Sequence, residues 1–142
     1  MKRRFSIAAC VAALALAAAA SAANPPKTLA AAAPGLWELS GVGGTKTTAR
    51  ECLPKLSALA QYEHRGRSCK ATTLSDDGKV MLVNYTCGRN DFGRTSIKIV
   101  TPRDLRIETQ GISDSLPFGY KFEARRVGEC KAPGNNAPER GN

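Results

Sequence analysis

The sequence predicts a mainly β fold: a single antiparallel meander of about seven strands that forms a curved sheet or an incompletely closed barrel, with one short helix. Three features of the 142-residue chain lead to this prediction. Apolar and polar residues alternate in several short segments, turns of a few residues separate those segments, and an even number of cysteines follows the N-terminal region. Short turns favour antiparallel pairing of consecutive strands, because parallel strands need long crossovers.

Residues 1–23 have the pattern of a cleaved signal peptide. Three basic residues at 2–4 precede an apolar run, and small residues at 20–22 provide a cleavage site. Cys10 raises the alternative of a lipoprotein processing site, but apolar sequence continues well beyond it, so we favour a discarded cysteine. Cleavage would leave no transmembrane segment, and we therefore expect a periplasmic or secreted protein.

The rest of the chain divides into three parts. The Pro- and Ala-rich stretch 24–33 is predicted to be a flexible linker, and 131–142, which has no apolar pattern, is predicted to be a disordered tail. The β-rich domain between them, 34–130, contains the only tryptophan, Trp37, on the apolar face of its first strand. A side chain of this size is the best candidate for the core anchor. The helix is predicted over 53–62, where leucines recur at helical spacing.

Alternation and turn residues define the strands. Gly43 and Gly44 are predicted to form a tight hairpin turn, because both central positions of such a turn need a positive φ angle. The predicted strands are 36–42, 45–52, 68–74, 79–87, 94–101, 104–111 and 120–125.

Four cysteines remain once Cys10 is removed, and an even number in a short exported chain predicts two disulfides in an oxidising compartment. The sequence allows three connectivities. We favour Cys52–Cys69, which would close the excursion between two strands, and Cys87–Cys130, which would tie down the C-terminus. A zinc site is disfavoured, since the spacings are wide and irregular.

The charge is moderately basic. Loss of the signal would reduce Lys+Arg from 21 to 18 against 12 Asp+Glu, and the net charge from +9 to +6. Four cations fall on outward positions of three successive predicted strands and form a possible anion-binding face. Glu108 and Glu123 lie among them, and we prefer the interpretation that these charges form ion pairs on a solvated face. The four cations are Lys98, Arg106, Lys121 and Arg125.

The residues give little support for catalysis. His64 is the only histidine, so a metal site with two histidines is excluded. It stands between Glu63 and Arg65 in a polar segment, where we expect an exposed loop residue rather than a general base. We find no catalytic constellation, and we expect no enzyme activity, metal or cofactor.

Several landmarks together resemble a known family. These are the signal peptide, the opening Pro34-Gly35-Leu36-Trp37-Glu38, the four cysteines, and the closing Arg126-Val127-Gly128-Glu129-Cys130. They are similar to small exported Gram-negative proteins catalogued as domain of unknown function 3617. The resemblance runs from about 34 to 130 and implies an exported β-rich domain. It supplies no established activity, cofactor or catalytic residue.

Three hypotheses about function follow. The first is a non-enzymatic envelope domain that binds a protein or an anionic component, such as lipid or anionic polysaccharide, through the basic face; nucleic acid is not expected. The second is a carrier of a small apolar ligand inside the curved sheet, with Trp37, Met81, Tyr85 and Phe122 lining the cavity. The third and weakest is an enzyme that uses His64.

Overall fold

The structure is a computed structural model that describes residues 25–88 and 90–131. The predicted signal peptide with Cys10, the first residue of the predicted linker, and positions 132–142 of the predicted tail lie outside the described residues.

Seven antiparallel strands form one sheet in the order β2-β1-β7-β6-β5-β4-β3. Strands β3 to β7 follow one another as a meander, and the hairpin of β1 and β2 is added beside β7. The sheet does not close, because β2 and β3 remain as its two edges. The predicted fold class is therefore confirmed. The strands are β1 (Gly35–Ser40), β2 (Thr48–Leu53), β3 (Lys70–Asp76), β4 (Val80–Thr86), β5 (Phe92–Thr101), β6 (Asp104–Ser113) and β7 (Leu116–Gly128).

In the part of the chain that the structure describes, three short helical segments accompany the sheet. One α-helical turn, α1 (Lys27–Ala30), precedes it, and two 3-10 segments, Val42–Gly44 and Leu56–His64, lie in the connections after β1 and β2. No helix within residues 25–88 and 90–131 is long and apolar enough to cross a membrane.

The core lies between one face of the sheet, the inner face, and the segment Leu56–His64. Trp37 is completely buried there, as the sequence predicts, and Leu59 of the 3-10 segment is equally buried. The Thr95 hydroxyl donates a hydrogen bond to the Ala60 carbonyl oxygen at 2.6 Å, which joins β5 to the segment above it. Burial of apolar side chains on this one face explains the alternating pattern of the strands.

The predicted helix over 53–62 differs from the structure in type and position. Leu53 still belongs to β2, and the helical residues form a 3-10 segment that is interrupted at Gln61, where φ is −121°. Pro54 follows the strand directly, and so short a segment depends on packing rather than on helix propensity. Leu56, Leu59 and Ala60 of the segment are buried against the sheet and supply this packing.

The predicted two-residue hairpin turn at Gly43 and Gly44 is wrong. β1 ends at Ser40 and β2 begins at Thr48, so residues 41–47 form the connection. Gly41 has φ at 93°, and a Cβ at this position would lie 3.0 Å from the Lys121 carbonyl oxygen. Gly41 packs closely on β7 at a φ angle that favours glycine, and the chain leaves the sheet at this residue.

The segment predicted as a flexible linker is packed where the structure describes it. Thr28 and Leu29 are buried in α1. The Asp76 carboxylate, at the end of β3, accepts hydrogen bonds from the Thr28 backbone N–H at 3.0 Å and from the Thr28 hydroxyl at 2.6 Å. This contact joins residues 48 positions apart and holds the N-terminal turn against the sheet.

Two disulfides are present, as the sequence predicts, but the favoured connectivity is wrong. The bonds join Cys52 to Cys130 and Cys69 to Cys87. Cys69 and Cys87 flank the paired ends of β3 and β4, so hairpin formation brings them together. Leu36 is the strand partner of both Cys52 and Gly128, so the pairing of β1 between β2 and β7 brings Cys130 to Cys52.

Candidate anion-binding face

The sheet face opposite the core is open to solvent, and we call it the outer face. Alternate side chains of β5, β6 and β7 lie on it, as their burial patterns show. The four cations that the sequence places on an anion-binding face all lie there, and all are exposed: Lys98, Arg106, Lys121 and Arg125. The structure thus brings the predicted residues together on three neighbouring strands.

Three of these four cations are neutralised by carboxylates. Each stands directly opposite an acidic residue across the β6–β7 pairing, so the outer face carries a ladder of opposite charges. Exposed pairs of this kind contribute about 0 to 1 kcal/mol each to stability, and their main effect is on the local potential. The pairs are Arg106–Glu123 at 3.2 Å, Lys121–Glu108 at 3.2 Å and Arg125–Asp104 at 2.9 Å.

One acid of this ladder is held firmly in its charged form. The Thr101 hydroxyl, and then the Arg125 guanidinium, donate hydrogen bonds to the Asp104 carboxylate and lower its pKa below the usual value. Asp104 therefore stays ionised at neutral pH, and the Arg125 charge stays compensated.

The cations of β5 differ from those of β6 and β7. Arg94 and Lys98 both lie on the outer face, and neither has a carboxylate within ion-pair distance among the described residues. Arg94 Nε donates a hydrogen bond to Asn84 Oδ1 at 2.8 Å, which orients the guanidinium without neutralising it. We call Arg94 and Lys98 the cationic stripe; four residues along a strand separate them by about 13 Å.

Lys98 has an unfavourable neighbour. Its partner across the β5–β6 pairing is Arg106, and its partner across the β4–β5 pairing is Val80. Like charges at directly opposite positions destabilise a sheet. Lys98 also lines a shallow outer-face groove of about 660 Å³, together with Ser96 and Arg106. Glu108 and Glu123 also line this groove and pair with Lys121 and Arg106, so Lys98 is the one cation of the groove that has no acidic partner among the described residues.

His64 is not the exposed loop residue that the sequence suggests. Only 2 % of its surface is exposed, because the 3-10 segment continues through it and turns the ring toward the sheet. Its Nδ1 lies 3.2 Å from the Tyr85 hydroxyl, and the ring meets Tyr85 and Phe118 edge-on. Burial raises the pKa of Tyr85 to about 12, so this hydroxyl stays protonated and is a poor nucleophile.

The side chains expected to line a carrier cavity are part of the packed core. Trp37, Met81, Tyr85 and Phe122 are each at most 3 % exposed. The ring centroids of Phe122 and Tyr62, which belongs to the covering segment, are 5.5 Å apart. Side chains therefore fill the space between the sheet and the covering segment at the positions assigned to the ligand.

Two residues that the sequence analysis did not select as site residues, Arg94 and Phe92, lie on the outer face. The sequence places Arg94 near a strand end, although it shares the period-two pattern of Lys98 and stands directly opposite the polar Asn84 on β4. It places Phe92 in the connection between the predicted strands 79–87 and 94–101, yet Phe92 begins β5 and is 48 % exposed. The alternation of residues 92–98 is the signal that identifies both.

Comparison of the chain with family models, with curated proteins and with solved structures found no match. The resemblance to the exported family described above therefore stays a prediction.

Proposed function

We propose that this protein is an exported, non-enzymatic domain that binds an anionic component of the cell envelope through the outer face of its sheet. One observation carries the proposal: the outer-face cations of β5, Arg94 and Lys98, have no carboxylate partner among the described residues, whereas those of β6 and β7 are paired across the strands. Charge that the fold leaves uncompensated is available to a ligand.

A compartment outside the cytoplasm is part of the proposal. Disulfides form and persist in oxidising compartments, and the two bonds Cys52–Cys130 and Cys69–Cys87 support a periplasmic or secreted location. The signal-peptide pattern of residues 1–23 supports the same location.

The chemistry of the stripe favours phosphate or carboxylate groups. A guanidinium presents a planar set of donors that matches either group in two-point contact, and a lysine ammonium acts as a compact point charge. Arg94 Nε donates its hydrogen bond to Asn84, so the two terminal nitrogens of the guanidinium can bind an anion. The spacing of about 13 Å suits a surface that carries several anionic groups, such as a lipid headgroup layer or an acidic polysaccharide.

Binding to vesicles tests the proposal. Wild-type protein should co-sediment with vesicles of phosphatidylcholine and phosphatidylglycerol at low ionic strength, and not with phosphatidylcholine alone. Raising the salt should weaken the binding, since exposed charges are screened. A parallel titration with polygalacturonate distinguishes a polysaccharide from a lipid source of the same chemistry. Failure to bind either anionic probe at low salt, or equal binding to neutral vesicles, would contradict the proposal.

A further inference from the structure

A second outer-face groove adjoins the cationic stripe at the start of β5. It has a volume of about 510 Å³, and Phe92, Arg94 and Ile112 are among the residues that line it. A volume of this size is within the range of small-molecule sites. The groove therefore combines an apolar wall with an end that carries the Arg94 charge.

Two glycines lie between the apolar and the polar residues of this groove. Gly93 and Gly111 are partners across the β5–β6 pairing, between the pairs Phe92–Ile112 and Arg94–Gln110. A Cβ on Gly111 would lie 2.0 Å from the Phe92 carbonyl oxygen, and one on Gly93 would lie 2.3 Å from the Tyr85 hydroxyl oxygen. Both positions point toward the inner face, where a side chain would collide with Tyr85 or Phe118, so on the outer face the apolar pair and the polar pair are immediate neighbours along the strands.

The apolar wall is unusual for a solvated sheet face. Phe92 is 48 % exposed and stands directly opposite the half-buried Ile112, so an aromatic and an aliphatic side chain lie side by side on this face. Farther along β6 and β7, three outer-face pairs join opposite charges instead: Asp104–Arg125, Arg106–Glu123 and Glu108–Lys121. Burial of such a pair by a ligand is favourable in proportion to the apolar area removed from water.

The polar end is specific for negative charge. The Arg94 guanidinium is oriented by Asn84 and has no carboxylate partner among the residues that the structure describes. Gln110, its partner on β6, is uncharged and does not compensate it. An anionic group at Arg94 would therefore place an attached apolar chain or ring on Phe92 and Ile112.

We propose that this groove binds an amphiphile with a single phosphate or carboxylate headgroup, with the headgroup on Arg94 and the apolar part on Phe92 and Ile112. The inference rests on the proposed function, because it uses one cation of the stripe, and it adds the chemical class of the ligand. It places the ligand on the outer face, whereas the carrier hypothesis placed an apolar ligand inside the curved sheet.

Calorimetric titration of the folded protein with dodecyl phosphate, below the critical micelle concentration, tests this proposal. Wild-type protein should bind dodecyl phosphate more tightly than inorganic phosphate, and more tightly than the uncharged dodecyl maltoside. Dodecanoate in place of dodecyl phosphate shows whether the carboxylate headgroup is accepted as well. Phe92→Ser and Arg94→Gln should each weaken binding of dodecyl phosphate by about tenfold, from lost apolar contact and lost charge respectively.

Val100→Ser is the matched control for Phe92→Ser. Val100 lies on the same strand and is also 48 % exposed, but it is not among the residues that line this groove. The control should bind dodecyl phosphate as wild type does. Phe92→Gln provides a second variant with a longer side chain if the serine variant is unstable, and it should weaken binding to a similar degree.

The outcomes separate the two proposals. Binding of dodecyl phosphate that Phe92→Ser and Phe92→Gln leave unchanged overturns the amphiphile site, and so does equal affinity for dodecyl maltoside or for inorganic phosphate. If the wild type still binds anionic vesicles in a salt-sensitive way, the proposed function stands while the amphiphile site fails. If the wild-type protein binds none of the anionic probes, both the amphiphile site and the proposed function are overturned.

Discussion

Lys98 stands directly opposite Arg106 across the β5–β6 pairing, so two cations face each other, whereas the outer-face pairs Arg106–Glu123 and Lys121–Glu108 across β6–β7 join opposite charges. Arg106 forms an ion pair with Glu123 on β7, at 3.2 Å, but Lys98 has no acidic partner among the described residues. A like-charge pair lowers stability, and a sequence under pressure for stability alone would place an acid at this position. The proposed anion-binding function would explain why two cations stand opposite each other at this position.

Lys98→Glu should therefore have opposite effects on stability and binding. The introduced carboxylate would face Arg106 and replace repulsion by attraction, and we expect the free energy of unfolding to rise by about 0.2 to 1 kcal/mol. The same change should weaken binding to anionic vesicles. Urea unfolding measures the first effect, with Lys98→Gln as the control that only removes the repulsion. A Lys98→Glu protein less stable than Lys98→Gln would contradict the account.

Trp37→Ala should destabilise the protein strongly. The side chain is completely buried in β1, at the join between the N-terminal hairpin and β7. Truncation of a buried aromatic side chain costs about 3 to 5 kcal/mol, because apolar contact is lost and a cavity remains. Denaturant unfolding checks the value, with the exposed Val100→Ala expected within about 0.5 kcal/mol of wild type. An unaltered unfolding midpoint for Trp37→Ala would show that the core is not anchored there.

The two disulfides should contribute unequally to stability. Cys52–Cys130 closes a sequence separation of 78 residues and Cys69–Cys87 one of 18. On the chain-entropy model these loops correspond to about 4.5 and about 3 kcal/mol, because the longer loop restricts the unfolded chain more. Thermal unfolding of Cys52→Ala/Cys130→Ala and Cys69→Ala/Cys87→Ala tests the order. Greater loss in the Cys69 and Cys87 variant would show that native-state packing, rather than loop closure, dominates.

Asp76 should make the attachment of the N-terminal turn sensitive to acid. The Thr28 hydroxyl, and then backbone N–H groups, hold the pKa of this carboxyl below its usual value. A group whose pKa is lower in the folded state stabilises the protein above the ordinary aspartate pKa of about 3.9, and this contribution is lost as the pH falls through the lowered value. We therefore expect stability to fall on acidification below about pH 4.

The variant Asp76→Asn isolates this effect. It should lower stability at neutral pH and flatten the decline at acidic pH, whereas the exposed Glu123→Gln should keep the wild-type decline. Chemical denaturation at a series of pH values measures both. An identical pH dependence in Asp76→Asn and wild type would show that Asp76 is not responsible.

Local patterns in the sequence are enough to predict the strands and the face that most of their residues occupy. The alternation in β7, with Phe122 and Ala124 buried and Lys121 and Glu123 exposed, is visible in the sequence because one side of the strand faces solvent. The same alternation predicts that Trp37 lies in the core. These predictions depend only on neighbours along the chain.

The predictions that differ from the structure depend on partners far away in sequence. The helical turn at Lys27–Ala30 is held by Asp76, and the Cys52–Cys130 bond depends on β1 pairing with β7, about 90 residues later. His64 is buried because its ring packs against Tyr85 and Phe118. The availability of Arg94 and Lys98 likewise depends on which acids the register places opposite each cation. Residue composition and local periodicity contain none of these relationships.

The most direct test of the account compares two double variants in the vesicle assay. Arg94→Gln/Lys98→Gln removes the cationic stripe, and Lys46→Gln/Lys55→Gln removes the same net charge from two exposed lysines outside the outer face. At about 1 kcal/mol per surface cation, the first should bind phosphatidylglycerol vesicles about 30-fold more weakly than wild type. The second should bind nearly as wild type does. Equal weakening of the two variants would show that net charge alone drives binding, and would contradict a site on the outer face.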